Sequence, residues 1–202
     1  MMQLSYSKLS TFKACKYLFK RKYIDEQKPV ETKTLSMTRG TLIHSDLEAY
    51  VKRGKKSPAA VKARVHIDPI IESGTARSEY DIIESFRGCR YRAIFDLYKE
   101  EDDQVVVADF KTGEPHDYSI QAEVYAGLAI VHSKKPRCEV TFIYVDKNQK
   151  YTSYYDAQIL DKLVQYSADV DECIATESFI KEPCFKCRWC AECEFGGLWN
   201  GE

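Results

Sequence analysis

Apolar positions along the chain change their period several times, and each change marks an element. Between residues 6 and 24, Leu9, Phe12, Phe19 and Tyr23 recur near one face of a helix, with Ser5 or Ser7 available to cap its start and Cys15 on the apolar side. The polar, proline-containing stretch from Asp25 to Met37 reads as a connection, after which Thr38 can cap a helix running to about Lys52. His44 and Glu48 share one face of it. A basic turn, RGKKSP, follows, and from there to Gly74 the pattern fits short helices and coil equally well.

The period then falls to two. Residues 77 to 98 read as two strands joined through Arg87 and Gly88, with Tyr91, Ala93, Phe95 and Leu97 alternating and Asp96 pointing the opposite way. A charged turn from Lys99 to Gln104 leads into VVVADFKT, a short apolar run that suits a buried strand. A helix over residues 117 to 132, strands over Glu139 to Val145 and Tyr151 to Asp156, and a helix from about Ala157 to Ala175 complete the pattern. The expectation is an α/β fold, with a central mixed sheet that carries the hairpin and is flanked by helices. At 202 residues it fits a single domain, 1–202.

Composition narrows the class without giving a function. Apolar residues at 44% against 30% charged are those of a globular protein rather than a disordered one. No apolar run is long enough to span a bilayer, and MMQLSYSKLS lacks the apolar stretch of a signal peptide, so the expected location is the cytoplasm, or a host's cytoplasm for a viral chain. A formal net charge of -1 gives no global reason to expect a nucleic-acid partner. Lys13, Lys16, Lys20, Arg21 and Lys22, interleaved with Tyr17 and Phe19, form a local basic patch whose simpler reading is the solvated face of a helix.

Eight cysteines are present, and Cys184, Cys187, Cys190 and Cys193 recur every three residues in PCFKCRWCAECEF. That is too clustered for a disulfide framework in a cytosolic-looking chain. Zinc usually joins two C-x-x-C knuckles well separated along the chain, and two residues between them make it cramped. Tight C-x-x-C runs with one ligand from elsewhere are the habit of iron-sulfur clusters, and Cys15 is the natural outside ligand. Cys89, Cys138 and Cys173 lack such spacing and read as buried thiols.

The chemistry-bearing triplet is Asp109-Phe110-Lys111. In a strand, alternate residues face the same way, so Asp109 and Lys111 project together while Phe110 packs behind. With Asp96 from the neighbouring strand, the pair supplies the hard oxygen ligands that Mg²⁺ or Mn²⁺ prefers. Taken alone, D-x-K more often marks an ordinary ion pair at a strand end. Other residues alter that reading. His44 closes G-x-x-x-H in RGTLIH, Glu79 stands on the first strand of the hairpin, Asp96 ends AIFD, and Gln121 with Tyr125 form Q-x-x-x-Y in QAEVY, one turn apart on a helix.

In that order the motifs resemble the RecB-like branch of the PD-(D/E)xK nucleases, which includes bacterial recombination nucleases, phage exonucleases and CRISPR adaptation nucleases with an iron-sulfur cluster. The one visible departure is Ala93, where the family has glycine three residues before the motif aspartate. The resemblance implies a restriction-endonuclease-like fold and a metal-dependent DNA exonuclease acting on single strands or duplex ends, alone or within larger recombination or CRISPR machinery. His44, Asp96, Asp109 and the carbonyl of Phe110 would bind the metal, and Lys111 would assist the attacking water. Gln121 and Tyr125 would contact DNA or buttress the site, and Glu79 is the most weakly fixed member, because Glu72 and Glu84 lie nearby.

The resemblance further implies a [4Fe-4S] cluster held by Cys15 and a C-x2-C-x5-C set, which Cys184, Cys187 and Cys193 fit; a register using Cys190 stays open. The cluster would join residues 1–24 and 176–202 into a helical cap. A catalytically inactive DNA-binding or assembly subunit, and an endonuclease acting on branched or single-stranded DNA, are the alternative functions.

Overall fold

The computed structural model describes residues 2–27, 34–72 and 74–183. Helices α1 (Tyr6–Ala14) and α2 (Lys16–Tyr23) open the chain, followed by α3 (Leu35–Arg53) and α4 (Pro58–Ile71). Strands β1 (Arg77–Phe86), β2 (Cys89–Glu100) and β3 (Gln104–Lys111) come next, then α5 (Ser119–Ser133), β4 (Arg137–Tyr144), β5 (Gln149–Asp156) and α6 (Ile159–Ala175). One sheet holds the strands in the order β1-β2-β3-β4-β5. Neighbours are antiparallel except β3 and β4, which run parallel. A parallel pair needs a crossover, and α5 supplies it. The fold is therefore mixed α/β with a five-stranded sheet flanked by helices, as expected.

Where expectation and structure differ, local capping chemistry is the reason. The first helix is two helices, because Cys15 is extended (φ -166°, ψ 112°), ending α1 and capping α2 with its thiol, which accepts from the Leu18 N–H at 3.4 Å. The bend brings Phe12 and Phe19 edge to face at 5.3 Å. Helix α3 starts at Thr34 rather than Thr38: Thr34 Oγ1 accepts from the Met37 N–H at 3.3 Å, while the Thr38 hydroxyl bonds back to the Thr34 carbonyl. The unassigned stretch contains α4, capped by Ser57 with Pro58 in its first turn. Its buried face is Ala60, Ala63 and Ile67, and two alanines give little apolar signal. The hairpin turns on Arg87 and Gly88, both at positive φ, the geometry of a two-residue hairpin loop.

Two cores lie on opposite faces of the sheet. One packs α1, α2, α5 and α6 over Phe95, Val107, Val140 and their neighbours; the other packs α3 and α4 over Leu97, Ala108, Phe110 and Ile143. Strand β2 crosses from one pattern to the other. Tyr91, Ala93 and Phe95 face the α5 side as expected, but Leu97 belongs to the α3 side with Asp96, and Tyr98 returns to the first core. The break coincides with a missing rung: Ser78 pairs with Leu97 and Tyr80 with Phe95, but the intervening Glu79 and Asp96 do not pair. Glu79 has φ of 50° there.

Helix α5 is buried on nearly every side, between the sheet and α6. Gly127 allows that approach, since a Cβ there would stand 2.5 Å from Leu163 Cδ2, on a side chain that is itself fully buried. Gly127→Ala should therefore destabilise the protein by about 1 kcal/mol, overpacking outweighing alanine's better helix propensity. Urea unfolding would check it, and a variant more stable than wild type would contradict this account of the α5–α6 contact.

Candidate active site

Side chains from α3, β1, β2, β3 and α5 converge at one place. Asp96 lies at the missing rung of the hairpin, where its Oδ1 meets His44 Nδ1 at 3.2 Å and its Oδ2 accepts from the Phe110 N–H at 2.6 Å. The carboxylate thus ties α3 to β3. Glu79, freed from the ladder by its left-handed backbone, joins them: His44, Glu79 and Asp96 each offer a ligand atom, all within 4.8 Å of one another. A non-glycine residue at positive φ costs energy and is found where the surroundings impose it, often at functional sites.

His44 is oriented by Asp96 and not by Glu48, which pairs with Lys52. The Phe110 ring sits edge to face against the imidazole at 6.0 Å, and Arg39 and the Gly113 N–H both bind Asp146, holding the start of α3 against the loop after β3.

Asp109 and Lys111 project to the α5 side of β3. Asp109 Oδ1 accepts from Gln121 Nε2 at 2.8 Å and from the Tyr125 hydroxyl at 3.0 Å; Lys111 Nζ lies 2.7 Å from Asp109 Oδ2 and donates to Gln121 Oε1 at 2.7 Å. Gln121 therefore spans the carboxylate and the ammonium, which fixes its amide orientation. Tyr125 is buried, and its hydroxyl also lies 2.9 Å from the Ile94 carbonyl. These two residues hold the acid and the lysine from behind.

Sequence reasoning missed Tyr118, whose ring centroid lies 4.1 Å below the Lys111 ammonium, and Phe142, 5.2 Å from it. An aromatic three residues before Gln121 was the available signal. The basic patch on α1 and α2 is largely spent within the fold: Lys13 pairs with Asp169, Lys20 with Asp25, and Lys16, Arg21 and Lys22 lie over Phe12, Tyr17 and Tyr23.

The electrostatics are those of negative charge gathered without enough positive charge. Burial, then the nearby charge of Asp96, raises the pKa of Asp109 against the opposing effects of Lys111 and Tyr125. Burial followed by Asp96 and Glu48 raises Glu79. For His44 burial opposes the imidazolium, yet the hydrogen bond and charge of Asp96, with Asp109 behind it, outweigh burial and raise its pKa. One imidazole and two converging carboxylates, those of Glu79 and Asp96, all hard or borderline donors, fit a divalent cation such as Mg²⁺ or Mn²⁺.

Cys15, Cys89, Cys138 and Cys173 are free and buried. Cys184, Cys187, Cys190 and Cys193 lie outside the described residues. The tail returns to the N-terminal helices just before them: the Tyr17 N–H donates to the Ile180 carbonyl at 3.2 Å, Lys181 lies over the Tyr17 ring, and Lys20 lies over Phe179.

A sequence profile of the PD-(D/E)XK nuclease superfamily matches residues 3–81, a span that contains His44 and Glu79 and ends before Asp96. Among solved structures, a candidate exonuclease from Eubacterium rectale superposes with a TM-score of 0.56 at 10% identity, covering 96% of this chain and 86% of that one. A second structure, SSO0001, gives a TM-score of 0.51 at 12% identity, over 97% of this chain and 87% of that one. No curated protein matches the sequence. The likeness in sequence is to the PD-(D/E)XK nuclease superfamily over residues 3–81, and the likeness to the two solved structures is one of fold. Among the described residues, no helix is long and apolar enough to cross a membrane.

Proposed function

We propose that the chain is a metal-dependent DNA exonuclease of the RecB-like branch of that superfamily. The observation that carries this reading is the convergence of His44, Glu79 and Asp96 beside the Asp109–Lys111–Gln121 network. His44, Glu79, Asp96 and Asp109 would hold Mg²⁺ or Mn²⁺, with the Phe110 carbonyl as a further ligand. The cation supplies Lewis-acid polarisation of the phosphate and a more acidic water. Lys111, held in place by Gln121, offers a positive charge to the phosphate oxygens or to the attacking water. Gln121 and Tyr125 orient Asp109, a buttressing part rather than a contact with DNA.

Cleavage of end-labelled DNA with Mn²⁺, comparing wild type with Asp109→Asn, tests the reading. Equal residual activity in the two would sink it and favour the inactive DNA-binding subunit. A circular single strand separates exonuclease from endonuclease, because an exonuclease needs an end.

We further propose a [4Fe-4S] cluster held by Cys15 and three of the tail cysteines, joining both termini into a cap beside the site. Its support is the placement of Cys15 at the bend between α1 and α2, two residues from Tyr17, whose hydrogen-bond partner Ile180 precedes Cys184 by four residues. Four residues span at most about 14 Å, within reach of such a cluster. Serine is a good helix cap, so Cys15→Ser should keep α2 while removing a ligand. Anaerobically purified wild type should contain iron and absorb in the visible region, and Cys15→Ser should lose most of both. Stoichiometric zinc without iron in the wild type would overturn the proposal.

A further inference from the structure

Three cavities adjoin the candidate site and share lining residues. The first, about 590 Å³, holds Lys111, Gln121 and Tyr125 together with Tyr6 and Ser7 of α1. Tyr6 and Ser7 also line the second, about 690 Å³, which reaches Lys22, Tyr23 and the segment His116 to Tyr118. That segment in turn forms one wall of the third, a groove of about 460 Å³ running along the face of β4 and β5. The path therefore passes the Lys111 ammonium and continues along the sheet to its β5 edge.

The third cavity is aromatic. Tyr118, Phe142, Tyr144, Tyr151 and Tyr155 line it, and the inner rings brace the outer ones: Phe142 lies 5.4 Å from Tyr118, and Tyr144 meets Tyr151 at right angles, 5.5 Å away. Phe142 and Tyr144 are buried, whereas Tyr151 is 53% exposed. The Tyr144 contact also stabilises the sheet, but it leaves about half of the Tyr151 surface open to a ligand. Tyr151, Ser153 and Tyr155 alternate onto the groove face, and Tyr154, 73% exposed, points from the other face of the same strand.

Resting on the nuclease reading above, we propose that the strand delivered to Lys111 is unpaired DNA and that its bases stack on Tyr118, Tyr151 and Tyr155. Continuity with the site argues for this occupant, since Lys111 stands over Tyr118 and Phe142 and can meet a phosphate at the point where the rings begin. The shape of the occupant follows from its chemistry. Bases in a duplex stack on one another and present only their edges, whereas an unpaired strand can offer each base face to a ring, a sequence-tolerant contact worth about 1–3 kcal/mol per base. Rings already braced lose little freedom on binding.

The test is binding, which needs no cleavage. A labelled single-stranded deoxyoligonucleotide is titrated with metal-free full-length protein, and anisotropy is read for wild type, Tyr151→Ala, Tyr155→Ala and Tyr154→Ala. Loss of one stacked base should weaken binding by roughly 5- to 150-fold in the first two variants and leave Tyr154→Ala at the wild-type value. A strand of the same length carrying abasic sites in place of its bases should bind wild type weakly and be indifferent to all three substitutions. Equal affinity for abasic and normal strands, a blunt duplex bound as tightly as the single strand, or unchanged binding by Tyr151→Ala and Tyr155→Ala together would overturn the groove. Base-dependent binding without Mn²⁺ cleavage would support the groove and sink the nuclease reading. Cleavage with no effect of the tyrosines would do the reverse.

Discussion

Asp109→Asn is expected to abolish Mn²⁺-supported DNA cleavage while making the metal-free protein more stable. The substitution removes the carboxylate proposed as a metal ligand but keeps an amide oxygen that can still accept from Gln121 and Tyr125. Metal-ion polarisation supplies several kcal/mol, so the fall in rate should be on the order of 10³-fold. Stability moves the other way because Asp109 is buried beside Asp96 and its pKa is raised. A carboxyl whose folded pKa lies above its unfolded one binds more protons folded than unfolded, so the protein loses stability as pH rises from the ordinary carboxylate range through that raised value.

Asparagine cannot ionise and escapes that loss. Lys111 keeps Gln121 as acceptor and the faces of Tyr118 and Phe142. The variant's Tm should exceed that of wild type by on the order of 2–4 °C near neutral pH without metal, with the gap closing in acid where Asp109 is protonated. A variant less stable at neutral pH, or a gap that widens in acid, would show that the Lys111 ion pair dominates.

Phe95→Ala should have the largest effect on the fold. Phe95 is fully buried on β2, stacked on Tyr98 at 5.7 Å and meeting Tyr125 edge on at 5.0 Å. Removing such a ring costs about 3–5 kcal/mol, which for a protein of this length corresponds to a fall in Tm of about 10 °C. The ring also backs the tyrosine that donates to Asp109. Below the melting range, the variant should therefore cleave DNA roughly 10-fold more slowly, as when a partner behind a metal ligand is lost. Thermal unfolding and initial rates at a temperature where both proteins are folded would check it; full activity in the folded variant would mean that Tyr125 keeps its place without Phe95.

Much of this architecture was legible in the order of residues. Period-two alternation marked the hairpin, the apolar VVVADF run marked the central strand, and the parity argument put Asp109 with Lys111 and Phe110 behind, where the structure has them. Less legible were features that depend on distant partners. Thr34 and Cys15 cap helices only because the following turns fold onto them, and α4 hides because alanines bury its face. Leu97 was assigned to the wrong face because strict alternation has no means of representing the skipped rung. Glu79 was hard to choose from its neighbours for the same reason: nothing in the local pattern marks a left-handed residue inside a strand, though that conformation sets its carboxylate beside His44. The tyrosine groove was invisible because it assembles a loop and two strands.

Glu79 also bears on how the protein keeps to itself. Strand β1 is an outer edge of the sheet and ten residues long, the kind of border onto which another chain can add a strand and begin to aggregate. Such addition needs an unbroken run of backbone donors and acceptors at regular spacing. The left-handed residue near the start of β1 interrupts that run, so the twist that directs a carboxylate inward also shortens the regular border to Tyr80–Phe86.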